Sequence, residues 1–113
     1  MDTERFVASK IAETTGLKCV LEVPEKRPDE FVSVQRTGGP EERFSSSPTF
    51  AVQTWAKTRR RAAELMRQVN NALMGLMAFD CVFGVDIEKS YRWPDPESGH
   101  ERYQTVVNMT IYD

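Results

Sequence analysis

Residues 48–78, PTFAVQTWAKTRRRAAELMRQVNNALMGLMA, decide the fold. Pro48 to Trp55 reads as a strand, and it feeds without a loop into the longest helix, from Thr58 to about Leu76. Ala62, Leu65, Met66, Val69, Leu73, Leu76 and Met77 fall on one face of a 3.6-residue period. That stripe is too wide for an isolated surface helix, so a sheet must bury it. Its first turn carries Arg59, Arg60 and Arg61, where the helix macrodipole is positive and cations are disfavoured. An unfavourable triplet of this kind points outward, to a partner.

Working upstream, Asp2 or Thr3 can cap a first helix whose Val7, Ile11 and Thr14 share a face, with Phe6 beside it. Gly16 stands where a left-handed residue would end it. Lys18 to Val23 alternates, with Cys19, Leu21 and Val23 on one side, as a half-buried strand does. Pro24 to Glu30 is a polar, proline-braced connection, and Phe31 to Arg36 is a second strand with Val32 and Val34 facing inward. Thr37 to Ser47 is too long for a tight turn, and glycine, proline and serine make it flexible. It is either a mobile hairpin tip or a loop that orders against a neighbouring subunit.

Downstream, Phe79 to Trp93 is a long extended segment in which Val85, Ile87, Tyr91 and Trp93 share one parity. Pro94 to His100 is a turn by composition, and Arg102 to Tyr112 returns with Tyr103, Val107, Met109 and Ile111 inward. The order is α-β-β-β-α-β-β: an α+β domain spanning residues 1–113, with a mixed twisted sheet, two helices packed on it and a long C-terminal β-hairpin. The strands flanking the long helix should run parallel if they share a sheet, and the outer pairs should be antiparallel hairpins.

The chain has 113 residues, 40% hydrophobic and 28% charged, and a net charge of −2, so nothing draws it as a whole to nucleic acid or anionic lipid. The opening Met1-Asp2-Thr3-Glu4 is acidic with no apolar run behind it, and no stretch approaches the ~20 apolar residues of a membrane span. The expectation is a soluble cytosol-type domain. Cys19 and Cys81 sit far apart in apolar runs and read as buried thiols. One histidine completes no familiar zinc spacing with them.

No catalytic set emerges. His100, the one histidine, falls in the predicted turn, where exposure is expected. Ser45, Ser46 and Ser47 lack any nucleophile-elbow context. Asp86 and Glu88 share a strand face, but with Lys89 and Arg92 nearby they read as a solvated charged surface. Lys57 with Arg59 to Arg61 forms a compact basic cluster, which keeps a small nucleic-acid-binding domain open as a different class of function.

Three blocks carry a resemblance. The first is Val23-Pro24-x3-Pro28-x2-Phe31-Val32-x-Val34-x-Arg36-Thr37-Gly38-Gly39-Pro40. The second is Pro48-Thr49-Phe50-x-Val52-x-x-Trp55-Ala56 ahead of an alanine-rich helix, and the third is Pro94-Asp95-Pro96-x-Ser98-Gly99-x2-Arg102-Tyr103. In this order they resemble the tail terminator proteins of long-tailed (siphovirus-type), actinobacterial-phage-like bacteriophages. The arginine triplet and the methionine- and phenylalanine-rich segment from Met74 to Phe83 depart from that pattern.

The resemblance implies a virion structural protein without catalysis or cofactor, assembled in the host bacterial cytoplasm. It would cap the tail tube at its neck-proximal end as a hexameric ring, ending tube polymerisation. Its partners would be further copies of itself, the tail tube protein and a head-completion or connector protein, with genomic DNA passing through the lumen without sequence-specific binding. A head-closure or tail-completion ring protein is the neighbouring alternative. The candidate subunit or partner interface is Arg59, Arg60 and Arg61, together with Arg36, Arg43 and Phe44 around the flexible loop.

Overall fold

The computed structural model describes residues 1–112. Helix α1 (Thr3–Thr15) is capped by Asp2, whose side chain accepts the Arg5 N–H at 3.1 Å, and it ends at Gly16 with φ 75°. Strands β1 (Cys19–Val20), β2 (Phe31–Gly38), β3 (Ser45–Ser46) and β4 (Thr49–Ala56) follow, then α2 (Arg59–Gly75), β5 (Val82–Arg92) and β6 (Glu101–Tyr112). A 3-10 turn at Leu76–Ala78 closes α2.

All six strands form one mixed sheet. Strand β4 lies between β2 and β6, antiparallel to both, and β5 pairs antiparallel with the other edge of β6. Strands β4 and β5 are therefore parallel to each other, as the helical crossover requires, with β6 between them. The short β3 meets Ile111 and Tyr112 at the end of β6, continuing the line of β4. Both helices cover the same face. Val7, Ile11, Val69 and Leu73 pack there against Val32, Val34, Phe50, Val52, Val107, Met109 and Ile111. Each fully buried aliphatic side chain of this set contributes roughly 1.5–3 kcal/mol.

The structure departs from the sequence pattern at three places. The strand expected from Lys18 to Val23 shrinks to Cys19–Val20 and pairs parallel, not antiparallel, with β2. The cause is the connection after it, which does not turn straight back. It crosses the end of the sheet, where Arg27 lies 5.3 Å from the Trp55 ring centre and the Pro28 carbonyl meets His100. In β5 the register shifts between Ile87 and Lys89. That bulge flips the side-chain alternation, so Ile87 opposes core residue Val107 while Tyr91 opposes Gln104 on the uncovered face. Finally, α2 ends at Gly75, which leaves Met77 47% exposed although it shares the helical stripe in sequence.

Candidate assembly surfaces

The arginine triplet is divided by the fold. Thr58 caps α2, its hydroxyl accepting the Arg61 N–H at 3.2 Å. Arg61 turns back toward β2 and holds Glu30 with two bonds, Nε to Oε2 at 2.7 Å and Nη2 to Oε1 at 3.2 Å. It also reaches Glu64 at 3.1 Å. These contacts, with Glu30 foremost, raise the Arg61 pKa further and offset within the chain the conflict with the macrodipole. Arg60 meets Glu64 only at 3.4 Å and leaves its side chain 92% exposed. Arg59 is exposed and forms no ion pair among the described residues. Of the triplet, then, Arg59 and Arg60 face solvent beside Arg67 and Tyr103.

The loop from Thr37 to Ser47 is a small arm. Arg36 builds its base: Nε donates to the Gly38 carbonyl at 3.1 Å, Nη2 to the Gly39 carbonyl at 3.0 Å, and Nη1 to Glu41 at 2.6 Å. Its own backbone N–H donates to Glu4 of α1 at 2.8 Å. Arg36 is thus a brace within the chain. Glu41 bridges Ser46, the Glu42 N–H donates to the Ser45 carbonyl at 2.7 Å, and the Ser47 N–H donates to the Pro40 carbonyl at 2.9 Å. Gly39 is required at the crossing, because it has φ +97° and a Cβ there would lie 2.0 Å from the Ser47 carbonyl oxygen. At the tip, the Arg43 guanidinium sits 5.0 Å from the Phe44 ring centre, and Phe44 is 66% exposed.

At one end of the uncovered face, residues from all three quoted sequence blocks converge. Phe31 and Trp55 stack at 5.1 Å, and Arg102 lies over both Trp55 and Trp93. Asp95 binds Arg27 at 2.5 Å and accepts from the Ser98 hydroxyl at 2.8 Å. The Ser98 bond first, then the Glu97 N–H and Arg27, hold the Asp95 carboxyl below its ordinary pKa. His100 contradicts the expectation of a solvated turn residue. It is only 4% exposed, set edge-on against Phe31 and Trp55. Its Nε2 lies 2.9 Å from the Pro28 carbonyl, which can only accept, so Nε2 carries the proton. This histidine fastens two loops together.

A polar ladder crosses the same uncovered face. Trp55 Nε1 donates to Ser33 Oγ at 3.2 Å, Ser33 Oγ to Gln53 at 3.3 Å, and Gln53 to Gln104 at 2.7 Å. Gln104 in turn donates to the Tyr91 hydroxyl. Ser33, Gln53, Gln104 and Tyr91 stand directly opposite one another on β2, β4, β6 and β5. Exposed apolar side chains collect elsewhere: Phe83 (64%) against Tyr112 (41%), and Met74 in the last turn of α2 with Met77 and Phe79 just beyond it. The composition of the stretch from Met74 to Phe83 is the sequence signal for these, although periodicity had placed Met77 in the core. The Cys19 thiol is half-buried, and burial pushes its pKa up to about 11; Cys81 is a half-buried free thiol. No group of three or more metal-ligating side chains gathers among the described residues, and no helix there is long and apolar enough to cross a membrane.

No protein-family model matches the chain, and no curated protein matches it. Among solved structures, a chain from "Virion of native gene transfer agent (GTA) particle" superposes with a TM-score of 0.63 at 16% identity. The likeness covers 95% of this chain and 92% of that one. The two chains share a fold. At this identity the common ground is architecture.

Proposed function

We propose that this protein is a structural subunit of a phage-type virion, and more narrowly a tail terminator. In this role it caps the tail tube as a hexameric ring, ends tube polymerisation and forms the tail side of the head–tail joint. The observation that carries the reading is the end-to-end likeness to a chain of a gene transfer agent virion. It is joined by the three sequence blocks, which the fold brings together at Trp55 of the second: Phe31 of the first stacks on it and Arg102 of the third lies over it. An assembly role also suits the surface. Phe44, Phe83, Met74 and Met77 are large apolar side chains left exposed, and Phe83 adjoins exposed Tyr112, the kind of contiguous apolar surface a neighbouring subunit would cover. Arg59 and Arg60 remain available to acidic groups of a neighbour or of the tube, whereas Arg61 and Arg36 are spoken for within the chain.

The nucleic-acid alternative draws on a smaller basic cluster than the sequence offers, because Arg61 is engaged within the chain while Arg59 and Arg60 stay exposed. Glu30 and Glu64 neutralise the centre of the basic cluster, and phosphate binding draws on unpaired cations. The test is to add the purified protein to polymerising tail tube protein from the same particle. Capped tubes of limited length, with the protein at one end, are the expected outcome. Tubes that elongate unchanged, or protein scattered along their length, would overturn the terminator role.

A further inference from the structure

We infer that Arg102 and Trp93 form a receptor for a carboxylate side chain of a partner protein. The choice of a protein as the partner rests on the subunit reading above; the receptor itself rests on geometry. Four side chains stand in line across the sheet: Phe31 on β2, Trp55 on β4, Arg102 on β6 and Trp93 just past β5. Phe31 stacks on Trp55, and the Arg102 guanidinium lies 4.7 Å from the Trp55 ring centre and 4.3 Å from that of Trp93. Its Nε donates to the Trp93 carbonyl at 2.7 Å, which fixes the direction of the group. Neither Nη meets an acceptor among the described residues, and both stay open to solvent. A planar fork held on aromatic faces with its outer N–H groups free is preorganised for a carboxylate.

The local charge count shows what is missing. Two guanidiniums, Arg27 and Arg102, lie over Trp55, and one carboxylate, Asp95, stands beside them. The Asp95 oxygens are occupied by Arg27, the Ser98 hydroxyl and the Glu97 N–H. Glu101 is held by Arg92 at 3.0 Å, and Glu25 and Glu97 line a separate hollow with Arg27, Lys57 and His100. Burial above all, and then the like charge of Arg27, hold the Arg102 pKa below its ordinary value, and the pull of Asp95 and Tyr91 offsets only part of this. A half-buried cation with no bonded counter-ion is stabilised by an incoming carboxylate.

The surroundings select a protein. Trp93 is 46% exposed and Tyr91, two residues back on the same face, is 37% exposed, so the free fork opens beside aromatic surface that a partner would cover. Arginine, tryptophan and tyrosine are the side chains on which protein interfaces concentrate their binding energy. Lys89, over the Tyr91 ring and without an ion pair among the described residues, adds a second cation. Asp86 and Glu88 on the same strand repel a run of phosphates but leave room for one carboxylate.

The test follows the Arg102 Nε–H and the two tryptophan indole N–H resonances of the whole chain by NMR. A capped glutamate-rich peptide, its glutamine counterpart and oligothymidylate are added in separate titrations. The glutamate peptide should shift Arg102 and Trp93 with a Kd of roughly 1 mM, and the glutamine peptide should leave them in place. Trp93→Ala, at an exposed position, should fold normally and bind roughly tenfold more weakly. Arg102→Lys keeps the charge but loses the fork, and should weaken binding as much. Undiminished binding by Arg102→Lys would refute the receptor geometry. Glutamate and glutamine peptides that bind alike, or not at all, would refute the carboxylate site, and rings by native mass spectrometry would then leave the subunit reading standing. Oligothymidylate that shifts the same resonances and displaces the peptide would overturn both the site and the subunit reading.

Discussion

Gly38 and Gly39 are neighbours of identical composition with opposite structural duties, so alanine at each position separates a built arm from a floppy one. Gly39 has φ +97°, and an added Cβ would meet the Ser47 carbonyl oxygen at 2.0 Å and the Pro48 Cα at 2.8 Å. Ordinary contacts of this kind lie beyond roughly 3.4 Å. The positive φ costs about 1–3 kcal/mol for a residue with a Cβ, and forcing the overlap apart costs a similar amount. The loss cannot exceed what holds the arm down, because the arm can release instead. The expected net effect of Gly39→Ala is therefore about 1–3 kcal/mol, or a fall in Tm of roughly 5–12 °C for a domain of this size. At Gly38 no atom lies within 4 Å of the added Cβ and φ is ordinary, so Gly38→Ala should be neutral or up to about 1 kcal/mol stabilising. Urea denaturation gives the two values, and amide exchange at Glu42 and Ser47 shows whether the arm has come loose. If the two variants unfold alike, with equal protection of those amides, the account of the arm as a braced element is wrong.

Other consequences can be checked on the isolated protein. Reversing Arg59 and Arg60 to glutamate should leave the unfolding midpoint unchanged or raise it slightly, because both side chains are solvated at the positive end of α2. Arg61→Glu should lower it by placing a third carboxylate beside Glu30 and Glu64; equal stability of the two variants would sink that division. Cys19, with a pKa near 11, should react with iodoacetamide at pH 8 roughly a hundredfold more slowly than a free thiol, as followed by mass. Asp95 has a folded pKa below its ordinary 3.8, so the unfolded chain takes up its proton first as pH falls. Its contribution to stability is thus fully present above the ordinary value and disappears through the lowered one. Asp95→Asn should flatten the acid limb of the stability curve below about pH 4, and an unchanged limb would argue against the Ser98–Asp95–Arg27 cluster.

Much of the fold was legible because local chemistry and long-range packing agree. The apolar spacing from Ala62 to Leu73 needs a sheet, Thr58 and Asp2 cap their helices, and Gly16 ends α1 in the left-handed region, all through interactions within a few residues. The misreadings share a different cause. The Glu88 bulge reverses the parity of β5 and is settled by pairing with β6, which no window of β5 alone reveals. His100 has turn-like neighbours, yet Pro28, 72 positions earlier, supplies its partner. The shortening of β1 goes with a connection that carries Arg27 over Trp55, a contact between distant segments.

The candidate surface was legible in kind but not in detail. A run of three arginines announces charge without saying which of them is spent inside the chain, and only the fold brings Glu30 to Arg61. Arg36 likewise looked available and proves to be the arm's anchor. Phe44 was recognisable as the loop's single large apolar residue, and its exposure follows from there being nothing else in the arm for it to pack against except Arg43.

The central claim is that this chain functions as a closed ring, and native mass spectrometry of the purified protein, alone and with tail tube ends, tests it most directly. The account predicts a discrete species of six chain masses that forms alone or on the tube end. A protein that remains a monomer in both settings, or that closes as a dimer, would contradict it.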